Sequence, residues 1–518
     1  MQPDSRLTPA LPCSTRGYTK AVFLYLTFMG ILWFVLTAIS HKAPDLDGME
    51  ELVWASSFEL GYLKHPPFPS WVMYGLTHLL GRPVWLSFLA GMLASMASLW
   101  FLWLLARELL SERLAFFVIL LASLNVYFSL RGTIFNHNTA QLWSIIASIW
   151  LFYRACRDQR LRDWAWLGAV AGIALMTKYS AVIQFNAFFI YFLVSGLWRD
   201  KRSWQGIAIA LLCLLITFSP HLYWLHTHNY APFSYMDDSL SAPTRWQAYA
   251  ALLSFTLDQL ARLSPMLIAV GILHFYFRKE RKTTSQVTTH YPSYGTAIAK
   301  RDKQFLLWVG LMPFISTVLI AALLGSHLDA SWATTFFVLY SFYCLYGIRG
   351  AETLQLKRLI WIAIIIQVVM AASYAIARGP LAWETGRKSR SSFPGPEIAQ
   401  QMQAVWQAHV PDQPLRLIAS DTWLGGNIAV NLGRHAQVYI DAQLAQSPWL
   451  NPTTDLECGI LVVFSQQTRG EPAASLLALY EQSQWKGQES LPWSSPKSPL
   501  IDLNWGIIAP TSNCRATP

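Results

Sequence analysis

The chain has 518 residues, of which 53% are hydrophobic and only 13% are charged. An average soluble protein carries about a quarter charged residues, so this composition excludes an ordinary soluble globular protein. The net charge of +10 does not indicate a nucleic-acid partner, because the Lys and Arg residues stand in short clusters between apolar runs.

Apolar runs close to the ~20 residues that cross a bilayer recur from residue 21 onward. The first run is long and many others follow it, so we interpret it as an uncleaved membrane helix rather than a signal peptide. The sequence predicts a polytopic α-helical membrane protein with about eleven transmembrane helices. The predicted spans lie near residues 21–39, 84–105, 114–130, 139–153, 164–177, 180–198, 204–225, 252–277, 304–324, 332–348 and 359–377.

The distribution of basic residues predicts the orientation of the chain. With the N-terminus in the cytoplasm, every Lys/Arg cluster between these spans falls on the cytoplasmic side, as the positive-inside rule requires. The predicted parts are a cytoplasmic lead over residues 1–20, a membrane domain over 21–378 with a first external loop at 41–83, and an extracytoplasmic part over 379–518.

The last part of the chain changes in character. Apolar segments at 415–420, 436–440 and 459–464 are typical of short buried strands, and 396–409 and 471–483 have helical spacing. We therefore predict a small C-terminal α/β domain. Its two cysteines, Cys458 and Cys514, lie where a disulfide can form, and the sequence leaves open whether they pair. The turn at Asp421-Thr422-Trp423 is interpreted as a structural turn or a glycan contact.

Polar residues that are unusual in a membrane protein fall on the external side of this predicted topology. Charges this close to hydrocarbon are costly unless they are buried in protein or face a water-filled cavity. Their grouping on one face predicts an external active site. The candidate substrate-binding residues are Lys64, His65, Asn136, His137, Asn138, Lys178, Tyr179, His221, Arg262 and His327.

The first external loop carries the candidate catalytic carboxylates. Asp47 and Glu50 are three residues apart and share one face if this segment is helical. They suit a general base and a partner that positions it, and the alternative is a solvated acidic loop. The Lys64-His65 pair stands before the rigid Pro66-Pro67 turn and is suited to contact a phosphate.

Alternatives stay open for the other residues. Lys178 is either a phosphate ligand or a lysine that extends to the interface. Asn136 can cap the following helix and contact a ligand at the same time. Arg262 is a candidate for a lipid-linked phosphate or an interfacial anchor. His327 with Asp329 supports no structural metal site, whereas a catalytic divalent ion stays open.

Together these segments resemble the large bacterial membrane glycosyltransferases of the C-type fold. More narrowly, the chain is similar to the branch related to protein O-mannosyltransferases and to lipid A aminoarabinose or galacturonic acid transferases. The matching segments are Leu46-Asp47-x-x-Glu50, Leu60-Gly61-Tyr62-Leu63-Lys64-His65-Pro66-Pro67, Phe135-Asn136-His137-Asn138-Thr139, Thr177-Lys178-Tyr179, Ser219-Pro220-His221-Leu222-Tyr223-Trp224-Leu225 and Asp421-Thr422-Trp423-Leu424-Gly425-Gly426-Asn427.

The resemblance implies an inverting transfer of a sugar from a polyprenyl-phosphate donor to an envelope glycolipid or polysaccharide, at the external face of the bacterial inner membrane. Asp47 is then the general base, and Lys64, His65 and Lys178 neutralise the leaving phosphate. Many relatives have adjacent Asp and Glu residues, whereas Asp47 and Glu50 are separated by two. Asp45 is therefore an alternative base, and the role of Glu50 is open.

Two other classes of protein compete with this interpretation. A transporter of lipid-linked saccharides usually has polar groups near the bilayer midplane and internal repeats. This chain has its polar groups at one predicted surface and no evident repeat, which favours the enzyme. A non-catalytic glycan-binding scaffold would tolerate Asp47→Asn.

Overall fold

A computed structural model describes residues 15–234, 244–283, 299–347 and 356–511. Helices dominate up to residue 409, and a β-sheet follows. The helices before the sheet are α1 (Thr15–Ser40), α2 (Leu46–Trp54), α3 (Phe68–Leu80), α4 (Trp85–Leu109), α5 (Glu112–Ser123), α6 (His137–Asp158), α7 (Leu161–Thr177), α8 (Ala181–Val194), α9 (Lys201–Thr227), α10 (Arg245–Thr283), α11 (Lys300–Leu324), α12 (Tyr340–Gly347), α13 (Leu356–Arg378), α14 (Pro380–Thr385) and α15 (Gly395–His409).

Six helices in the described part of the chain are long and apolar enough to cross a membrane. They are α1, α4, α9, α10, α11 and α13. Each of the other predicted spans overlaps a helix that is shorter or less apolar. The multi-pass helical architecture is thus present, and the count of about eleven transmembrane helices stays a prediction.

Three predicted spans differ from the helices that form. The span at 114–130 contains only α5, because the chain turns after Ser123. The span at 332–348 begins with turns, and its helix α12 starts only at Tyr340. These turns include the buried residues Phe336 and Leu339, and non-helical backbone is tolerated at such a place because protein covers it. The span at 252–277 is shorter than α10, which begins at Arg245.

The first loop, residues 41–83, folds into two short helices. Asp45 is the N-cap residue of α2, and the buried face of this helix includes Met49 and Val53. Helix α3 begins after Pro67, with a further proline at Pro69 in its first turn, where a missing backbone N–H costs no helical hydrogen bond. Both helices therefore present fixed side chains next to the ends of the long helices.

The sheet region contains β1 (Leu417–Ser420), β2 (Gln437–Ile440), β3 (Ile460–Phe464), β4 (Trp485–Pro492) and β5 (Leu500–Ile508), in the order β2-β1-β3-β5-β4. Strands β1, β2 and β3 are parallel, and β5 pairs antiparallel with both β3 and β4. The helices that connect them are α16 (Thr422–Leu432), α17 (Gln466–Arg469) and α18 (Ala474–Glu481). The three predicted strands coincide with β1–β3, and the separate extracytoplasmic domain over 379–518 stays a prediction.

Helix α16 packs directly on α2. Met49 and Val53 share one hydrophobic cluster with Trp423 and Ile428 of α16. Gly426 makes the close approach possible, because a Cβ atom there would lie 2.5 Å from Met49 Cγ and 2.9 Å from Val53 Cγ2. The sheet region and the first loop therefore have a common core, and a displacement of α16 would move α2.

Two predictions about the C-terminal part concern single residues. Asp421 caps α16, because its Oδ1 accepts hydrogen bonds from the backbone nitrogens of Trp423 and Leu424 at 2.9 and 3.0 Å. The turn predicted there is thus a structural one. Cys458 is disulfide-bonded. Cys514 lies outside the described residues, so its pairing stays a prediction.

Candidate active site

Asp47 lies in the first turn of α2 and is half-buried. Its Oδ2 accepts a hydrogen bond of 3.0 Å from the Asn136 side-chain amide. The carboxylate is therefore held in place by a neutral donor that belongs to a different helix. A carboxylate held by one neutral donor keeps lone pairs for a further partner.

Asn136 is the N-cap residue of α6 and has two tasks. Its Oδ1 accepts from the backbone nitrogens of Asn138 and Thr139 at 3.0 and 2.9 Å, which satisfies two free donors of the helix. Its Nδ2 is left to donate to Asp47. Capping and a site contact coexist here, as the sequence analysis allowed.

Lys178 follows α7 as its C-cap residue. Its Nζ donates to Asn138 Oδ1 over 2.5 Å and lies 5.7 Å from the ring centre of Trp332. Gln141 fixes the backbone, since its Nε2 donates to the Lys178 carbonyl oxygen over 2.7 Å. Burial lowers the pKa of Lys178 to about 8, although the charges of Asp47 and Asp329 act in the opposite direction.

The three consecutive residues 136–138 thus join the candidate base to a cation. Asn136 is bonded to Asp47, and Asn138 is bonded to Lys178. The start of α6 lies between the first loop and the end of α7 and brings both charged groups to one site. Such a constellation can abstract a proton on one side and stabilise a leaving anion on the other.

Two imidazoles stack beside this centre. The ring centres of His65 and His137 are 3.8 Å apart. Burial lowers the pKa of His65 to about 3, with the charges of Lys178 and Lys64 adding to the effect. Burial also lowers the pKa of His137 well below its usual range, and His65 and the two lysines add to it. Both rings are therefore neutral at pH 7, and His65 supplies hydrogen-bonding atoms rather than the positive charge expected from the sequence.

Glu50 is buried and forms an ion pair of 2.5 Å with Lys64 Nζ. Burial raises the pKa of Glu50, and the positive charges of Lys64 and Arg469 oppose this shift. Arg469 lies in α17 and also pairs with Asp441 Oδ2 at 2.7 Å. Glu50 therefore holds the Lys64 side chain in place. The positive charge of Arg469, from the sheet region, also acts on Glu50.

Tyr179 and His221 stabilise the loop that carries Lys64. The Tyr179 hydroxyl lies 2.7 Å from His221 Nε2, and His221 Nδ1 lies 2.8 Å from the Leu60 carbonyl oxygen. That oxygen can only accept, so Nδ1 carries the proton and Nε2 accepts from the tyrosine. His221 is fully buried. These two contacts position the loop, and the role of Tyr179 and His221 in substrate binding stays a prediction.

Arg262 belongs to a neighbouring cluster. Its Nη1 donates to the Tyr127 hydroxyl over 3.3 Å, and its carbonyl oxygen accepts from the Val126 backbone nitrogen over 3.1 Å. Arg262 lies within α10 rather than at its end. It is level with the end of α5. Burial raises the pKa of Asp329, but hydrogen bonds from Ser331 and the charge of Arg262 outweigh it, so the net shift is downward.

His327 does not join the centre. It is exposed and has no hydrogen bond or ion pair to any residue that the structure describes. No group of three or more His, Cys, Asp or Glu side chains suited to a metal ion occurs among the described residues. Whether the reaction uses a divalent ion stays open.

A cavity of about 210 Å³ opens beside the Glu50–Lys64 pair. One wall is aromatic, with Trp54, Tyr62 and Trp224, and the opposite wall comes from the sheet region, with Thr422 and Gln446. Aromatic faces with a few polar groups are typical of ligand pockets. The sheet region therefore completes a cavity next to the predicted phosphate ligands.

Sequence reasoning missed several residues of this site. Glu51 is buried next to Glu50 and accepts from Ser70 Oγ over 2.7 Å, and burial raises its pKa to about 8. Trp332, whose ring lies next to Lys178, was not among the candidates. Arg469 gave no signal, because only the folded chain brings it near Glu50.

The chain matches one family model and is similar to proteins of known structure or activity. Residues 64–224 match the family described as dolichyl-phosphate-mannose-protein mannosyltransferase. One relative is the lipopolysaccharide core galacturonosyltransferase RgtA of Rhizobium johnstonii, 22% identical over 435 residues that cover 79% of this chain and 80% of RgtA. A solved structure with a similar fold is ArnT from Cupriavidus metallidurans bound to undecaprenyl phosphate, with a TM-score of 0.51, 15% identity, and coverage of 94% of this chain and 98% of ArnT. Its apo state gives a TM-score of 0.50 and 16% identity over the same shares of the two chains.

The comparisons show the fold and a similarity in sequence. The chain has the fold of ArnT, and it is similar in sequence to the mannosyltransferase family over residues 64–224 and to RgtA over most of its length. The resemblance to C-type membrane glycosyltransferases predicted from the motifs is confirmed at this level. The roles of single residues, the sugar and the acceptor remain for a proposal.

Proposed function

We propose that the protein is an inverting glycosyltransferase that moves a sugar from a polyprenyl-phosphate donor to an envelope glycolipid or polysaccharide. The observation that carries this proposal is the pair of contacts made by residues 136–138, which join Asp47 to Lys178. A base and a fixed cation at one site are what a displacement on a sugar phosphate requires.

The reaction is a single displacement. Asp47 takes the proton of an acceptor hydroxyl while that oxygen forms a bond to the anomeric carbon of the donor sugar. The bond between the anomeric carbon and the phosphate oxygen breaks on the opposite face, and the phosphate leaves with the electron pair. Attack opposite to the leaving group inverts the anomeric configuration.

The leaving phosphate needs positive charge and hydrogen-bond donors. Lys178 supplies one charge, and Lys64 supplies a second one that Glu50 holds in position. The neutral rings of His65 and His137 donate hydrogen bonds in this scheme. The negative phosphate would also favour their protonated forms, so donor binding and proton uptake are coupled.

The relatives support the proposed donor and acceptor. ArnT has been solved with undecaprenyl phosphate, a polyprenyl phosphate, and RgtA is named for transfer to the lipopolysaccharide core. From the distribution of basic residues we propose the bacterial inner membrane, with the N-terminus in the cytoplasm and the sheet region outside. Whether a hexosyl or a pentosyl group is transferred follows from the test below.

The test compares envelope glycolipids and polysaccharides by mass spectrometry in cells that carry the wild type, a deletion or Asp47→Asn at matched protein levels. We expect one sugar to be lost in the deletion and in D47N, with accumulation of its polyprenyl-phosphate donor. General-base loss lowers kcat by about 100- to 10,000-fold. Asp412→Asn, at an exposed site in the sheet region, is the matched control.

Other outcomes decide between the alternatives. Loss of the sugar in Asp45→Asn with normal transfer in D47N would make Asp45 the base. A wild-type envelope in D47N, together with an altered envelope in the deletion, would favour a transporter or a scaffold instead.

A further inference from the structure

A second, smaller cavity lies on the other side of the start of α2. Its volume is about 50 Å³, and it is enclosed by the ends of α1 and α13, the first turn of α4 and the segment after α14. None of its residues was a candidate in the sequence analysis except Asp45. The polar side chains that line it include Thr37, His41, Asp45, Ser87, Arg378 and Arg390.

The charge of this cavity is positive. Arg390 Nη1 lies 3.3 Å from Asp45 Oδ1, so the charge of Arg390 is balanced by the one carboxylate that lines the cavity. Arg378 lies 5.8 Å from the ring centre of Tyr374 and makes no side-chain hydrogen bond or ion pair with any described residue. Burial and the charge of Arg378 lower the pKa of His41 to about 4, so its ring is neutral. Both arginines are exposed to solvent, and together with Asp45 they leave one positive charge without a counterion among the described residues.

Two buried hydroxyls in the same cavity also have no partner. Thr37 and Ser87 are each 1% exposed. Neither Thr37 Oγ1 nor Ser87 Oγ has a hydrogen-bond partner in the described part of the chain. A buried hydroxyl without a partner is unfavourable, and a ligand with acceptor oxygens would satisfy both.

We propose that this cavity binds one anionic group of the acceptor, a phosphate or a carboxylate, and thereby places an acceptor hydroxyl at Asp47. The volume fits a single anionic group and is too small for a sugar ring. A planar guanidinium offers paired donors to such a group, and the two buried hydroxyls of the cavity add further donors. This inference rests on the proposed function.

The position of α2 explains why the two sites would act together. Asp45 borders the anion cavity, and Asp47 contacts Asn136 from the same first turn. The donor phosphate is assigned to Lys178 and Lys64, neither of which lines the smaller cavity. One rigid turn would therefore separate acceptor recognition from donor recognition, and only an acceptor with a correctly spaced anionic group would present its hydroxyl to the base.

The test measures steady-state kinetics of purified full-length protein in phosphatidylcholine nanodiscs. Donor is the polyprenyl-phosphate fraction that accumulates in the deletion strain, and acceptor is the glycolipid fraction of that strain. We expect Arg378→Gln and Arg390→Gln to raise the KM for acceptor by about 10- to 100-fold, because each removes hydrogen bonds to a charged group. The KM for donor stays within about twofold of the wild type. Arg387→Gln, at an exposed arginine outside the cavity, is the matched control.

A second variant separates binding from folding. Thr37→Val keeps the shape of the side chain and removes the unpartnered hydroxyl, so it should leave the thermal unfolding midpoint unchanged or raise it. We expect the same variant to raise the KM for acceptor by about three- to tenfold. An unchanged KM in T37V, R378Q and R390Q would overturn the proposal, as would an increase confined to the KM for donor.

The source of the anion is tested separately. If the effects of R378Q and R390Q persist in phosphatidylcholine alone and disappear when the acceptor fraction has been treated with phosphatase or had its carboxylates amidated, the anion belongs to the acceptor. If the effects appear only after phosphatidylglycerol is added, the cavity binds a lipid headgroup and the assignment to the acceptor is wrong.

Failure of the proposed function gives a different result. In that case the wild type transfers no sugar to the glycolipid fraction. Binding of the same fraction to the wild type and to R378Q, measured directly, then decides the inference: weaker binding by R378Q supports the anion cavity, and equal binding overturns it.

Discussion

Two successive turns of α2 place the same chemical group in different environments. Asp47, at the start of the helix, is half-buried and hydrogen-bonded to a neutral amide. Glu50 and Glu51, one turn later, are buried between Lys64, Ser70 and the helix of the sheet region. In the proposed reaction Asp47 exchanges a proton with the acceptor, whereas Glu50 pairs with Lys64 and Glu51 accepts a hydrogen bond from Ser70. Residue type alone does not define a catalytic acid or base, because its environment decides which form is populated.

Among the substitutions that test this comparison, the largest effect on activity is expected at Lys178, the cation that residues 136–138 join to Asp47. Lys178→Gln should lower kcat/KM for donor by about 100- to 1000-fold, as does loss of one preorganised donor to a developing anion. Lys486→Gln, in the exposed strand β4, is the control. Steady-state kinetics with varied donor measure the effect, and unchanged kcat/KM in K178Q would remove Lys178 from the site.

The pH dependence sharpens this prediction. The lowered pKa of Lys178, about 8, means that the unliganded site loses this charge as the pH rises through that value. The kcat/KM for donor should therefore fall above pH 8 in the wild type. Lys178→Arg should retain activity at pH 9, because a guanidinium stays charged. An identical alkaline limb in K178R would assign the fall to another group.

A smaller effect is expected at Asn136, which separates capping from positioning. Asn136→Ser keeps an N-cap oxygen but loses the amide that donates to Asp47. We expect kcat to fall about tenfold with an unchanged unfolding midpoint. Asn136→Ala loses both contacts and should also destabilise α6 by about 1 kcal/mol. If N136S is as active as the wild type, the contact with Asp47 has no part in catalysis.

The sequence predicted the helices and the candidate residues better than the contacts between them. The apolar runs predicted nearly all of the long helices, since each run has to be long enough for the bilayer, and the motifs identified Asp47, Asn136 and Lys178 as candidates. The spacing of residues 136–138 did not reveal that they connect two other segments, because contacts between distant segments depend on helix packing. The burial of Glu51 and the proximity of Arg390 to Asp45 were equally out of reach, because neither follows from a local pattern in the sequence.

The smallest predicted effect concerns Glu51, which is buried in α2. The quantity that reports on it is the stability of the protein rather than the reaction rate. Burial raises the pKa of Glu51 to about 8 from an ordinary value of 4.5, so the folded protein holds a proton that the unfolded chain releases between these values. The contribution of Glu51 to stability is therefore fully present below pH 4.5 and is lost progressively as the pH rises toward 8.

Glu51→Gln removes this dependence and keeps an oxygen that can accept from Ser70. At pH 8.5 the thermal unfolding midpoint of E51Q should exceed that of the wild type by about 2 to 5 °C, and at pH 4.5 the two should agree. Glu59→Gln, at a carboxylate that is more exposed, is the control and should show no such pH dependence. A difference between E51Q and the wild type that is the same at both pH values would mean that Glu51 is already ionised in the folded protein. Glu51 would then not differ from Asp47 in the way proposed here, and the contrast between a reactive and a structural carboxylate would not hold.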